Sequence, residues 1–129
     1  MPPIVMVVDD DSDVREVTRL VLEQGGYHVL PADSGTEALR RLEGSRPDLI
    51  LLDINMPGMD GWQVLRLLKV DERTRAIPVA MFSIKMEVRD RVHGIQDGAV
   101  AYLTKPFSPE ELLKGVRRIF DALEPRMPG

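Results

Sequence analysis

Hydrophobic residues fall into two alternating kinds of cluster along this chain. Short continuous runs recur at residues 4–8, 27–30, 49–52, 78–82 and 101–103. Runs of this length, bounded by turn residues, predict strands, and the purely aliphatic runs at 4–8 and 49–52 suit strands buried within a parallel sheet. Between them, apolar residues return at three- and four-residue intervals, the spacing of one helix face.

The first such segment holds Val14, Val17, Leu20 and Val21. Asp11 or Ser12 can cap its start, and Gly25-Gly26 ends it. Ser34 and Glu37 have capping-box spacing and open a helix through Ala38, Leu39 and Leu42 that stops near Gly44. Trp62, Leu65, Leu68 and Val70 mark a third helix. Residues 85–96 form a charged fourth segment whose apolar residues are only Met86, Val88, Val92 and Ile95, so it is predicted to be the most exposed. Ser108-Pro109-Glu110-Glu111 is a second capping-box pattern, with Pro109 suited to the first helical position. The stripe Leu112, Leu113, Val116, Ile119, Phe120 and Leu123 follows, and Glu124-Pro125 stops it. Five strands alternating with five helices predict an α/β fold, a doubly wound (βα)5 of three layers. The expected sheet is parallel and five-stranded, in the flavodoxin-like order 2-1-3-4-5.

Composition narrows the function. The 129 residues suit one domain, with residues 1–124 as its body and 125–129 as a tail or the start of a linker. A net charge of −4 argues against a general nucleic-acid-binding surface. The absence of cysteine excludes disulfides, thiol catalysis and cysteine-ligated zinc, which fits a cytoplasmic setting. No apolar run has the length of a membrane span, and Met1-Pro2-Pro3 lacks the basic start of a signal peptide.

Candidate chemistry lies where the strands end. In an open parallel sheet every strand delivers its C-terminal residue to one edge, where ligands bind. The first strand delivers Asp9, Asp10 and Asp11, the third Asp53, the fourth Ser83 and the fifth Lys105. Clustered carboxylates repel and raise one another's pKa unless a counter-charge intervenes. A hard divalent cation such as Mg²⁺ takes oxygen ligands of this kind. Acid, metal, hydroxyl and ammonium together suit phosphoryl transfer to a carboxylate, the acid attacking in line. Taken singly, each residue has a plainer reading as a capping acid, a turn residue or a surface lysine. A calcium loop starting at Asp9 is excluded because its sixth position is Val14 and its twelfth Leu20. His28 and His93 belong to no motif and read as structural or surface residues.

The pattern resembles the receiver domain of two-component response regulators over roughly residues 4–123. Val8-Asp9-Asp10-Asp11 is similar to that family's opening acids, and residues 53–61, Asp-Ile-Asn-Met-Pro-Gly-Met-Asp-Gly, to its phosphorylation loop. Gly98-Ala99 and Tyr102-Leu103-Thr104-Lys105-Pro106-Phe107 are similar to its fifth-strand motif. The resemblance implies that Asp53 accepts a phosphoryl group from a histidine kinase or phosphotransfer protein. Asp9, Asp10, Asp53 and the Asn55 backbone carbonyl would hold Mg²⁺, with Mn²⁺ able to substitute. Ser83 and Lys105 would contact the phosphoryl oxygens, and Ser83 and Tyr102 would form the switch. The Lys105-Pro106 peptide would be cis.

The change would be relayed to the face made by the 85–96 helix, the fifth strand and the last helix, for a downstream protein or output domain. The family catalyses only its own aspartyl phosphorylation and dephosphorylation, as a monomer or a phosphorylation-dependent dimer. Ile84 departs from the usual small residue after Ser83, so crowding of the phosphoryl site is expected there. Asn55 and Lys85 occupy positions that tune dephosphorylation in the family. The alternative within this fold is a binding module that works without phosphorylation. A haloacid-dehalogenase-like phosphatase is disfavoured by Asp13 at the position of an expected Thr or Val. A flavin-binding flavodoxin is disfavoured by the acidic loop after the first strand.

Overall fold

The computed structural model describes residues 2–83, 92, 96–105 and 107–124. Its strands are β1 (Ile4–Val8), β2 (His28–Ala32), β3 (Leu49–Leu52), β4 (Val79–Ser83) and β5 (Ala101–Thr104). Its helices are α1 (Ser12–Gln24), α2 (Gly35–Arg41), α3 (Gly61–Val70) and α4 (Pro109–Leu123). The sheet is parallel throughout, in the order β2-β1-β3-β4-β5. That is the expected flavodoxin-like arrangement.

The helix expected over 85–96 falls almost wholly outside the described residues; Val92, Gln96 and Asp97 are helical, and Val92 is exposed as anticipated. Ile84, Lys85, His93 and the Lys105-Pro106 peptide also lie outside them.

Strand alternation divides the core in two. Met6, Val8, Ile50, Leu52, Val79 and Met81 face α2 and α3, packing on Ala38, Val64, Leu65 and Leu68. Val5, Val7, Leu49, Leu51, Ala80 and Phe82 face α1 and α4, packing on Val21, Leu22, Leu112, Val116 and Ile119. Successive side chains of a strand point to opposite faces, so a continuous apolar run serves both layers.

Two helix faces differ from expectation. In α1 the buried residues are Thr18, Val21 and Leu22, while Val17 and Leu20 are 51% and 47% exposed. The Thr18 hydroxyl donates to the Val14 carbonyl at 2.7 Å, which lets a polar residue occupy the inner face. In α3 Val64 is fully buried and Val70, at the last turn, is 78% exposed.

Of the two expected caps of α1, Asp11 is the one that forms, accepting from the Asp13 and Val14 amides. Ser34 caps α2, but Glu37 reaches one residue further back, to the Asp33 amide at 2.9 Å. The full capping box belongs to α3, where the Asp60 carboxylate and the Gln63 side chain exchange bonds with each other's backbone amides.

Candidate functional site

Three acids and a lysine meet beyond the sheet's C-terminal edge. Asp53 follows β3 and is 6% exposed; Asp9 follows β1 and is fully buried. Lys105, one residue past β5, is 8% exposed. Its ammonium pairs with Asp9 and stands 3.8 Å from Asp53 Oδ2. Carboxylate oxygens of Asp9, Asp10 and Asp53 lie within 4.8 Å of one another, with Asp10 exposed and the other two buried. All four residues, with Asn55, line a cavity of about 570 Å³.

The backbone explains how these groups are held. Asp53 N–H donates to the Val8 carbonyl and Asp9 N–H to Ala32, extending the ladders past the strand ends. The Asp11 amide donates to Asp9 Oδ1 at 3.0 Å, and Arg15 of α1 donates to the Asp9 carbonyl at 2.7 Å. The Lys105 amide donates to the Ser83 carbonyl at 2.8 Å. Its ammonium lies 4.9 Å from the centre of the Phe82 ring, which in turn packs on Phe107.

Gly61 sits against the loop from Asp53. A Cβ there would come within 2.3 Å of the Asp53 carbonyl oxygen and 2.8 Å of Ile54 Cα. Only glycine leaves room for α3 to start so close to β3. Gly58 has φ +75°, the left-handed turn conformation that glycine adopts without strain.

Burial pushes the Asp53 carboxyl up from 3.8 to about 6. Lys105 and the Asn55 amide pull it down, while Asp9 and Asp10 add to the rise. Withdrawal from water thus outweighs the nearby ammonium. One buried ammonium cannot neutralise three convergent carboxylates. An oxygen-only donor set with this surplus negative charge fits a hard divalent cation. Asp9, Asp10 and Asp53 are the side chains that would hold it.

Ser83 is placed differently from the acids. It is buried at the end of β4, but it does not line the acidic cavity. Its hydroxyl accepts from Asn55 Nδ2 at 3.2 Å. Tyr102, in β5, is half-buried against the core on the α2 and α3 side.

Sequence reasoning named Asp9, Asp10, Asp53, Asn55, Ser83, Lys105 and Tyr102. It missed Arg15, the Phe82–Phe107 support and the bond from the Asn55 side chain to Ser83. Of these only Arg15 had a usable signal, an arginine one turn after a capping acid and able to reach back over the loop.

Residues 5–117 match the family profile described as response regulator receiver domain. The chain is 41% identical over 121 residues to the phosphate regulon transcriptional regulatory protein PhoB of Klebsiella pneumoniae, covering 94% of this chain and 53% of that protein. It is 40% identical over 113 residues to the DNA-binding response regulator MtrA of Mycobacterium leprae, covering 88% of this chain and 49% of MtrA. The chain therefore spans about half the length of these curated relatives. Among solved structures, the chemotaxis protein CheY4 of Vibrio cholerae superposes with a TM-score of 0.88 at 32% identity, covering 92% of this chain and 99% of that one. Fold, edge chemistry and these likenesses agree: the chain belongs to the response regulator receiver domain family of two-component signalling.

Proposed function

We propose that this domain is a phosphorylation-controlled switch in which Asp53 accepts a phosphoryl group from a histidine kinase or phosphotransfer protein. The observation that carries the reading is the setting of Asp53. It is a buried carboxyl beside Lys105, with oxygens of Asp9 and Asp10 converging on its own.

An Asp53 oxygen would form the new bond to phosphorus as the bond to the donor's imidazole nitrogen breaks. Mg²⁺, or Mn²⁺ in its place, would neutralise charge on the transferring group. Asp9, Asp10, Asp53 and the Asn55 backbone carbonyl would be its protein ligands. Lys105 would hand its ammonium from Asp9 towards the phosphoryl oxygens, and Ser83 would donate its hydroxyl to one of them. Tyr102 would follow Ser83, biasing a two-state equilibrium that a downstream protein or output domain reads at β5 and α4. On this reading residues 1–124 are the receiver body, and the domain catalyses only its own phosphorylation and dephosphorylation, in the cytoplasm. The curated relatives are named as transcriptional or DNA-binding regulators, so a DNA-binding output controlled by this domain is a fitting destination. The receiver itself would touch neither nucleic acid nor membrane. Among the described residues no helix is long and apolar enough to cross a membrane.

Intact mass after incubation with acetyl phosphate and Mg²⁺ tests the reading, beside Asp53→Asn and a metal-free control. A single phosphoryl adduct requiring both Asp53 and metal is expected. No adduct at early times, together with no beryllofluoride binding, would overturn it in favour of a phosphorylation-independent binding module. Sedimentation with and without beryllofluoride separates a constant monomer from a phosphorylation-dependent dimer.

A further inference from the structure

The two halves of the site lie on opposite faces of the sheet. Phe82, beneath Lys105, belongs to the face covered by α1 and α4. Met81 and Tyr102 belong to the other face, and alternation puts Ser83 on the side of Met81. The acids and Lys105 open onto the cavity; Ser83 does not. Asn55 joins the two. Its backbone amide donates to Asp53 Oδ1 at 3.2 Å, and its side-chain amide donates to Ser83 Oγ at 3.2 Å.

We propose that Asn55 is a positioning residue that holds the Ser83 hydroxyl in the resting arrangement, away from the cavity that Asp53 faces. The inference rests on the phosphorylation reading above and adds to it a named restraint on the switch. Ser83 is fully buried and its carbonyl is engaged by the Lys105 amide, so its backbone is held and the hydroxyl moves chiefly by changing rotamer. Staggered rotamers are discrete. While Oγ accepts from Asn55 it is committed to one of them. On this proposal, the rotamer change that carries Oγ to a phosphoryl oxygen on Asp53 takes it away from Asn55 Nδ2 and breaks that bond. The bond therefore stabilises the resting arrangement alone, and a ligand that selects the other must overcome it.

Mg²⁺-dependent binding of beryllofluoride to four proteins tests this: wild type, Asn55→Leu, Ser83→Ala and the double variant. Asn55→Leu keeps the backbone amide and similar bulk but removes the donor. It is expected to bind beryllofluoride about threefold to tenfold tighter than wild type, the range of one net hydrogen bond. In the Ser83→Ala background the same change is expected to have no effect, a coupling that general loosening of the loop would not produce. Asn55→Ala repeats the comparison without the leucine side chain. Unchanged or weaker binding by both Asn55 variants would overturn the proposal, as would an equal gain with and without Ser83. Wild-type protein that neither binds beryllofluoride nor takes up phosphate would instead sink the switch reading itself, and this inference with it.

Discussion

Lys105 is paired with Asp9 and stands 3.8 Å from Asp53. The ammonium is thus the counter-charge for the acid behind Asp53. Removing one member of a buried ion pair leaves the other charge uncompensated, at a cost of about 3 kcal/mol or more. Lys105→Met is expected to lose about that much stability at pH 7.5 in chelator, measured by urea unfolding. Saturating Mg²⁺ is expected to restore part of the loss, because a cation among the same carboxylates replaces the missing charge. An equal loss with and without Mg²⁺ would count against a cation site at these acids.

The pH dependence has a definite sign. Asp53 is raised from 3.8 to about 6 in the fold, so the folded state holds a proton that the unfolded chain releases. Its contribution to stability is complete below pH 3.8 and is lost as pH rises through about 6, a difference of about 3 kcal/mol. In chelator at pH 7.5, Asp53→Asn is therefore expected to be more stable than wild type by about that amount. The advantage should fade towards pH 4. Parallel urea titrations at both pH values check this; a constant difference would mean that burial of the charge is not its cause.

Gly61→Ala isolates a steric requirement. The added methyl would meet the Asp53 carbonyl oxygen at 2.3 Å and Ile54 Cα at 2.8 Å, and backbone cannot yield as a flexible side chain does. A loss of about 1–3 kcal/mol is expected. Phosphoryl uptake from acetyl phosphate should fall as well, since relief requires moving the residue that bears the carboxylate. Full uptake in a folded Gly61→Ala protein would show that the loop tolerates the shift.

The inner face of α1 gives a paired test. Leu22 is fully buried, whereas Leu20 is 47% exposed. Leu22→Ala is expected to cost about 2–5 kcal/mol and Leu20→Ala less than about 1 kcal/mol, by thermal or urea unfolding. Similar costs would mean that Leu20 has a partner on the folded surface.

The sheet was legible in the sequence because its strands are continuous apolar runs ending in polar residues, and the α/β alternation leaves few topologies. Asp53, Asp9, Asp10 and Lys105 were legible as a group for the same reason. The helices were read less well. Val17 and Leu20 look like core by residue type, yet Thr18 takes the inner position by bonding its hydroxyl to its own helix. Asp60 and Gln63 form a complete capping box that the pattern of apolar residues does not announce. The tie between Asn55 and Ser83 spans 28 positions; strand order brings the two elements together, but no local spacing reveals which side chains touch.

The division of the core into two layers has a consequence for how information could travel. The sheet is a wall of tightly packed side chains, and such interiors transmit strain without yielding. On the proposed reading, the Asn55–Ser83 hydrogen bond at the end of β4 gives an event at Asp53 a route around the rim to the face that carries Tyr102. Residues inside the wall then bear on fold strength alone, whereas the polar groups at its rim, Asp53 and Lys105 among them, bear on both strength and message.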